Sequence, residues 1–381
     1  GIGQYGFHTT KALERSGVLS RITVLAGAET QNKHTPVFEQ AEIDYCWQPN
    51  QLKTRQILLS KIKELNPDLV WLNLGASAFG KSPLVNLSGM LTSMQVRQMG
   101  YPTVVTLHEL VELADLKKLN APGGILAPLG AKILTKVATR ADLVCLTMQH
   151  YKDWLSARKV NCVYIPIGSY QKPELLEEVS EQELLFFTTL APFKGLDLLL
   201  EAFGNLKKIF PSLRLTIAGA EHTRFPGYGK KLKKSCDLDN GIQWLGQVPE
   251  EQVKELFRKA QIVILPYTAS TGSSSVLCQS ATWGRAIIAS DLNEHVQLVN
   301  ENNLSIQFFR AGDVKSLTDT IKNLLDDPAI RQNQITHNFN SIQKLTPKIT
   351  AHQYIQAFNL ALKKCRSKKR IPVAQGEMDI S

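Results

Sequence analysis

Short apolar runs rich in β-branched residues recur along the chain, each followed by a stretch whose apolar positions have helical spacing. The first series is Arg21 to Ala26, Asp68 to Leu72, Thr103 to Leu107, Asp142 to Leu146 and Cys162 to Ile165. The second is Leu184 to Thr188, Leu213 to Ala218, Ile242 to Leu245, Ile262 to Leu265, Ala286 to Ala289 and Ile306 to Phe309. Strands apolar on both faces belong in parallel sheets covered by helices, because a strand with one wet face would alternate. The pattern predicts an α/β protein of two Rossmann-like, doubly wound parallel-sheet domains.

Between the two series, Pro166 to Glu183 is polar and acidic and carries Pro166, Gly168 and Pro173, which places the linker there. The expected organisation is a domain over residues 1–170, a second over 171–345, a helix over 346–365 packing across domains, and a basic, disordered tail over 366–381. Thr346 suits the N-cap of that helix and Pro347 its first turn, with Tyr354, Ile355, Phe358 and Leu362 sharing a face. Ligands of open parallel sheets sit beyond the carboxyl ends of the strands, so two such domains facing each other are expected to enclose a cleft there. The chain opens on Gly1, Gly3 and Gly6 in a Gly-x-Gly-x-x-Gly pattern, with helical spacing from Phe7 to Ser16. Such a loop ordinarily follows a strand, so a first strand is expected to be missing.

Composition narrows the function classes. In 381 residues, 43% hydrophobic, there is no apolar run of the roughly 18 to 20 residues that span a bilayer, and the start lacks the basic and apolar regions of a signal peptide. Six cysteines are scattered without a Cys-x-x-Cys pair, which fits a reduced, cytoplasmic protein. Of the net +10, residues 1–170 carry +6, residues 171–362 are balanced, and residues 363–381 add +4. That asymmetry favours anionic partners such as the inner face of a membrane, or, for the tail, a frayed solvated end. No basic-aromatic stripe accompanies it, which argues against nucleic acid.

The candidate chemistry lies at strand ends. The glycines at 1, 3 and 6 let backbone N–H groups approach phosphate or sugar oxygens, or form a plain tight turn. Glu29 comes late for the acid of a dinucleotide site. His108 and Glu109 follow the strand Thr103 to Leu107 directly, and Lys194 sits in the turn Pro192 to Gly195, where an ammonium can neutralise a diphosphate leaving group. The small-residue loop Pro266 to Val276 is expected to aim the N–H groups of Gly272, Ser273, Ser274 and Ser275 at a phosphate on the N-terminus of the next helix. Asp237-Leu238-Asp239 has the form of a metal-holding Asp-x-Asp, but lies in a polar turn before a strand and is read as a solvated turn. Over Ile125 to Arg140, Leu126, Leu129, Ile133 and Val137 share a face and Lys132, Lys136 and Arg140 repeat by four. Such a helix packs on its own sheet or lies on a membrane surface.

Together these segments resemble glycosyltransferase family 4, retaining enzymes of the GT-B fold, over nearly the whole chain. The likeness is greatest from Leu184 to Phe203, at Leu215 to Gly219, Trp244 to Val248 and Ile262 to Pro266, and over Gly284 to Asp291. The resemblance implies a metal-independent hexosyltransferase that needs no cofactor and uses a nucleotide sugar as co-substrate. Its acceptor would be a glycan or lipid-linked molecule. By the same resemblance, Lys194 meets the donor diphosphate and the amides from Gly272 to Val276 grip diphosphate and sugar. His108 approaches the transferred sugar, Gly3 lines the opposite wall, and the loops after Gly219 and Gly246 surround the base. Thr189 stands where the family usually has an arginine, and Thr271 and Gln279 where it usually has two glutamates. These departures keep open a sugar-nucleotide-binding subunit without catalysis. A nucleotide-sugar 2-epimerase would need more acid and base groups than His108 and Glu109.

Overall fold

The computed structural model describes residues 2–28, 37–179, 181–235 and 241–369. Gly1, Glu29, the Asp237 and Asp239 pair, Cys236 and tail residues 370–381 lie outside the described residues. The chain forms two compact units: residues 1–113, 122–170 and 347–381 make unit 1, and residues 114–121 and 171–346 make unit 2.

Unit 1 opens with α1 (Ile2–Arg15), followed by β1 (Thr23–Gly27), β2 (Glu42–Trp47), α2 (Thr54–Leu65), β3 (Val70–Leu74), α3 (Pro83–Gln98) and β4 (Thr103–Leu107). Then come α4 (Ala127–Ala138), β5 (Leu143–Leu146), α5 (Gln149–Ser156) and β6 (Cys162–Tyr164). Strands β3, β4, β5 and β6 form one parallel sheet and β1 pairs with β2 in another. Every residue of β4 and β5 is buried, as their unbroken apolar character predicts. The sequence pattern missed β2, whose Glu42-Ile43-Asp44-Tyr45-Cys46-Trp47 alternates and has a single β-branched residue.

Two expectations are corrected here. The glycine loop does not exist as a loop, since Gly3 and Gly6 lie inside α1. Helical glycine costs about 1 kcal/mol relative to alanine. Burial of Tyr5, His8, Thr9 and Leu13 along one face offsets that cost. In α4 it is the small residues, Ala131 and Ala138, that are buried, while Leu129 and Ile133, and Leu126 at its N-cap, face solvent. The apolar row of that helix is therefore not what packs it on its own unit.

Unit 2 contains β7 (Glu183–Phe187), α6 (Leu196–Lys207), β8 (Arg214–Ala218), α7 (Tyr228–Ser235), β9 (Ile242–Gly246), α8 (Glu250–Lys259) and β10 (Ile262–Leu265). It continues through α9 (Ser275–Thr282), β11 (Ala286–Ser290), α10 (Asn293–Glu301), β12 (Gln307–Phe309), α11 (Val314–Asp326) and α12 (Pro328–Ile342). All six strands are parallel in the order β12-β11-β10-β7-β8-β9, so the winding reverses between β7 and β10. Leu184, Phe186, Ile217, Ile264 and Ile288 of the sheet pack with Leu199, Phe203 and Ile321 from the helices. Full burial of each such side chain contributes about 1.5–3 kcal/mol.

The last helix, α13 (Pro347–Lys369), packs on α1, β4 and β5 within unit 1 and runs past the expected end of its helix at residue 365. Tyr354, Ile355 and Phe358 are buried on it, and the Tyr354 hydroxyl lies 2.8 Å from both the Tyr5 hydroxyl and Thr106 Oγ1. Among the described residues no helix is long and apolar enough to cross a membrane.

Candidate functional site

In a doubly wound sheet the loops leaving the two strands at the reversal diverge and leave a crevice between them. In unit 2 those strands are β7 and β10. The loop after β7 carries Thr188, Thr189 and Lys194, and the loop after β10 runs from Pro266 to Ser274. Lys194 and the small-residue loop, far apart in sequence, are thus brought side by side, Lys194 over the Tyr267 ring.

The two loops are fastened by backbone contacts. The amides of Thr268 and Ala269 donate to the Phe193 carbonyl at 3.0 and 3.4 Å. Gly195 has φ +67°, and a Cβ there would stand 1.8 Å from the Pro266 carbonyl oxygen, so the approach admits only glycine. The Lys194 ammonium sits 3.7 Å from the centroid of the Tyr267 ring, in cation–π geometry. Tyr267 is buried, and burial pushes its phenol up to about 12 while hydrogen bonds to Thr188 and Ser274 hold the hydroxyl. The ring therefore stays neutral and fixes the height of the ammonium.

Ser274 is the N-cap of α9 and makes no side-chain capping hydrogen bond, and Gly272 and Val276 are buried beside it. Gln279 is buried one turn into α9. A residue with φ between +20° and +160° also stands at each of the next two strand ends. Gly219 has φ +143°, with a would-be Cβ 1.8 Å from the Thr188 carbonyl oxygen, and its amide donates to the Gly246 carbonyl at 2.6 Å. Gly246 has φ +67° and faces open space. Gly219 thereby ties the β8 end to both the β7 loop and the β9 end.

Two histidines flank the lysine. His295 of α10 is buried with its ring 5.2 Å from Tyr267 and its Nδ1–H donating to the Ser290 carbonyl at 3.0 Å. Burial holds its pKa down at about 4, with the Lys194 charge acting in the same direction. His222 lies 5.8 Å from the Phe193 ring and is likewise lowered to about 4, by burial first and then by Arg224 and Lys194. Both are neutral near pH 7, so Lys194 is a localised charge beside uncharged imidazoles. Residues 114–121, expected in the first domain, join this unit: Leu119 packs with Ala191, Phe193 and Ala269, and Arg224 donates to the Leu119 and Asn120 carbonyls at 2.6 Å.

Unit 1 holds His108 at the carboxyl end of β4. Its Nε2 lies 2.6 Å from Asn73 Oδ1. The Asn73 amide nitrogen donates to the Ile2 carbonyl at 2.9 Å, so Oδ1 is the acceptor and His108 carries its proton on Nε2. Burial lowers His108 to about 3, which makes it a neutral imidazole with Nδ1 as its acceptor. Gly6 packs behind this pair, where a Cβ would meet Asn73 Nδ2 at 2.9 Å and shift that amide. Glu109 is turned to structure, accepting from the Ala76 amide at 3.0 Å. Gly3 is exposed on α1 with nothing within 4 Å of a would-be Cβ.

Residues 170–340, the body of unit 2, match the family model described as glycosyl transferases group 1. Over those residues the chain is similar to the group 1 glycosyl transferases. The chain is 23% identical over 266 residues to the phosphatidyl-myo-inositol mannosyltransferase of Mycobacterium leprae, covering 68% of this chain and 67% of that one. It is 25% identical over 228 residues to the D-inositol 3-phosphate glycosyltransferase of Segniliparus rotundus, covering 54% and 49%. The chain thus spans about two thirds or less of the curated relatives it matches. In fold it resembles Anabaena HepE in complex with UDP and glucose, with a TM-score of 0.69 and 14% identity over 94% of this chain and 96% of that one. It also resembles sucrose-phosphate synthase from Thermosynechococcus elongatus, with a TM-score of 0.68 and 16% identity over 92% and 91%. Its fold is GT-B, with parallel-sheet α/β architecture in both units.

The reading of the sequence assigns no role to Tyr267, His295, His222 or Asn73. Tyr267 had a signal, since it lies at the start of the small-residue loop Pro266 to Val276. His295 and Asn73 had none, because each reaches the candidate site residues only through tertiary packing.

Proposed function

We propose that the chain moves a hexose-type sugar from a nucleoside diphosphate sugar to a glycan or lipid-linked acceptor, without a metal and with retention of anomeric configuration. The observation that supports the reading is that the Lys194 turn and the loop leading to α9 leave adjacent strands where the unit 2 sheet reverses its winding, with Lys194 over the Tyr267 ring at 3.7 Å. As the glycosidic C–O bond breaks, negative charge grows on the departing diphosphate. An ammonium held in place by Tyr267 and amides at the start of α9 meet that charge without reorganising. The acceptor hydroxyl bonds to the anomeric carbon on the same face, and its proton passes to a diphosphate oxygen, so atoms and charge balance. Thr189 and Thr271 hydrogen-bond diphosphate and sugar, Gln279 the ribose, and the chain beyond Gly219 and Gly246 receives the base. His108, neutral and with Nδ1 as an acceptor, takes a hydrogen bond from a hydroxyl of the transferred sugar. The reading includes peripheral contact of the chain with an anionic membrane face, which suits a lipid-linked acceptor.

A second reading has the same site bind donor without turnover. It is favoured by Thr189 and Thr271, which supply no charge where the family usually has an arginine and a glutamate. Full-length protein with UDP-, GDP- and ADP-sugars in EDTA, followed by thermal shift and by nucleotide release, separates the two. Binding with release, both lost in Lys194→Ala, supports transfer. Binding without release on any acceptor supports the second reading, and no binding overturns both.

A further inference from the structure

A folded protein ordinarily buries the larger apolar side chains of a surface helix. In α4 the fully buried residues are Ala131 and Ala138, Leu134 and Val137 are half-buried, and Leu129 is 58% and Ile133 42% exposed, with Leu126 at the N-cap 70% exposed. Ile125, in the turn that leads into the helix, is 98% exposed. Lys132, Lys136 and Arg140 are exposed on the same side, four residues apart. Among the described residues no carboxylate pairs with these three cations. An exposed face that joins leucine and isoleucine with unpaired lysine and arginine is poorly suited to water and well suited to the boundary between lipid headgroups and acyl chains.

Toward its carboxyl end the helix borders a cavity of about 600 Å³. Leu91, Met94 and Val137 give it apolar walls, and Arg97, Lys136 and Arg140 give it cations. Arg97 is tethered through Nε to the buried Asp142 at 3.0 Å, which neutralises part of its charge and fixes its position. Two further cations remain for an anion. The cavity therefore has the chemistry of one phosphate with an apolar portion attached, at the end of a helix whose remaining face is apolar and basic.

We propose that α4 and this cavity form the surface by which the chain docks on an anionic phospholipid bilayer, with the cavity taking the phosphate of a single lipid. The inference gives the membrane contact in the functional reading its surface. It stands on unit 1 alone and does not depend on the donor site. Free phosphate shares the cavity's charge requirement but has no use for its apolar walls or for the exposed leucines.

The test is flotation of the full chain with vesicles of phosphatidylcholine alone or mixed with phosphatidylglycerol. Two variants alter only exposed side chains: Leu126→Gln with Leu129→Gln, and Lys132→Ala with Lys136→Ala and Arg140→Ala. The parent chain is expected to float only with the phosphatidylglycerol vesicles, more weakly at high salt, and each variant to bind roughly tenfold more weakly or worse. Absence of vesicle binding, or equal binding by the variants, overturns the proposal. Saturable binding of inorganic phosphate by the chain with no binding to phosphatidylglycerol vesicles points instead to a site for soluble phosphate and overturns the proposal as well. Concentration-dependent association of the chain in gel filtration, lost with the leucine changes, shows instead that a second copy covers the face. Thermal shift with nucleotide sugars on the same variants reports the donor site separately, so the two readings fail independently.

Discussion

Lys194 and Tyr267 meet as ammonium over ring at 3.7 Å, although they lie on different loops after different strands. The hydroxyl of that ring is held by Thr188 and Ser274. One aromatic side chain therefore links the turn after β7, the loop after β10 and the start of α9. Lys194→Ala is expected to weaken nucleotide-sugar binding by roughly tenfold to a hundredfold, the range set by losing one charge-assisted hydrogen bond of about 1.5–3 kcal/mol. Calorimetry with UDP- and GDP-sugars measures this. Unchanged affinity would remove Lys194 from the donor site.

Tyr267→Phe keeps the ring and loses the hydroxyl. Stability is expected to fall by about 1–3 kcal/mol as Thr188 and Ser274 lose a buried partner, with donor affinity changed less than in Lys194→Ala. Tyr267→Leu removes the ring as well and is expected to weaken donor binding further. Denaturant melts and calorimetry on the pair separate positioning of the ammonium from packing.

Gly195→Ala places a methyl group against the Pro266 carbonyl at a backbone φ of +67°. Strain of this kind costs about 1–3 kcal/mol and forced overpacking a similar amount, so a loss of about 3 kcal/mol is expected in urea melts. Gly246→Ala has the same φ but open space around it, and is expected to lose only the backbone share, about 1 kcal/mol. Equal losses in the two variants would show that the close contact with Pro266 does not matter.

Stability should depend on pH through the buried imidazoles. His108 at about 3 and His295 at about 4 lie below the usual 6.5, so the unfolded chain binds protons that the folded chain does not. Their contribution is complete above about pH 7 and is lost as pH falls from 6.5 toward 4, at up to about 1.4 kcal/mol per pH unit for each fully neutral histidine. His295→Gln is expected to reduce the slope of unfolding free energy against pH in that window and to leave the slope above pH 7 unchanged. An identical profile would mean His295 titrates normally.

In unit 2 the buried Arg285 donates to the carbonyls of Trp283, Ala260 and Glu177, and burial lowers its pKa to about 10. Arg285→Ala leaves those carbonyls without their donor and opens a cavity, with an expected loss of about 3–5 kcal/mol in chemical denaturation. A loss below 1 kcal/mol would show that water replaces the guanidinium.

The amino-acid sequence by itself determined the class of fold, most strand positions and the residues that leave the strand ends, because unbroken β-branched runs and small-residue turns are local signals. Strands such as Thr103–Leu107 and Ile262–Leu265 coincide with their predicted spans. Lys194, His108 and the Gly272 to Val276 loop were legible for the same reason. What tertiary structure decided is which of these meet. The order β12-β11-β10-β7-β8-β9, which pairs the Lys194 turn with the small-residue loop, is a matter of long-range strand pairing that no local pattern encodes. Packing of Tyr5 and Leu13 pulled Gly3 and Gly6 into α1 against their own preference. Close approach through Ala131 and Ala138 turned Leu129 and Ile133 of α4 outward, because which face of a helix is buried depends on the neighbour it must fit as well as on its own apolar row.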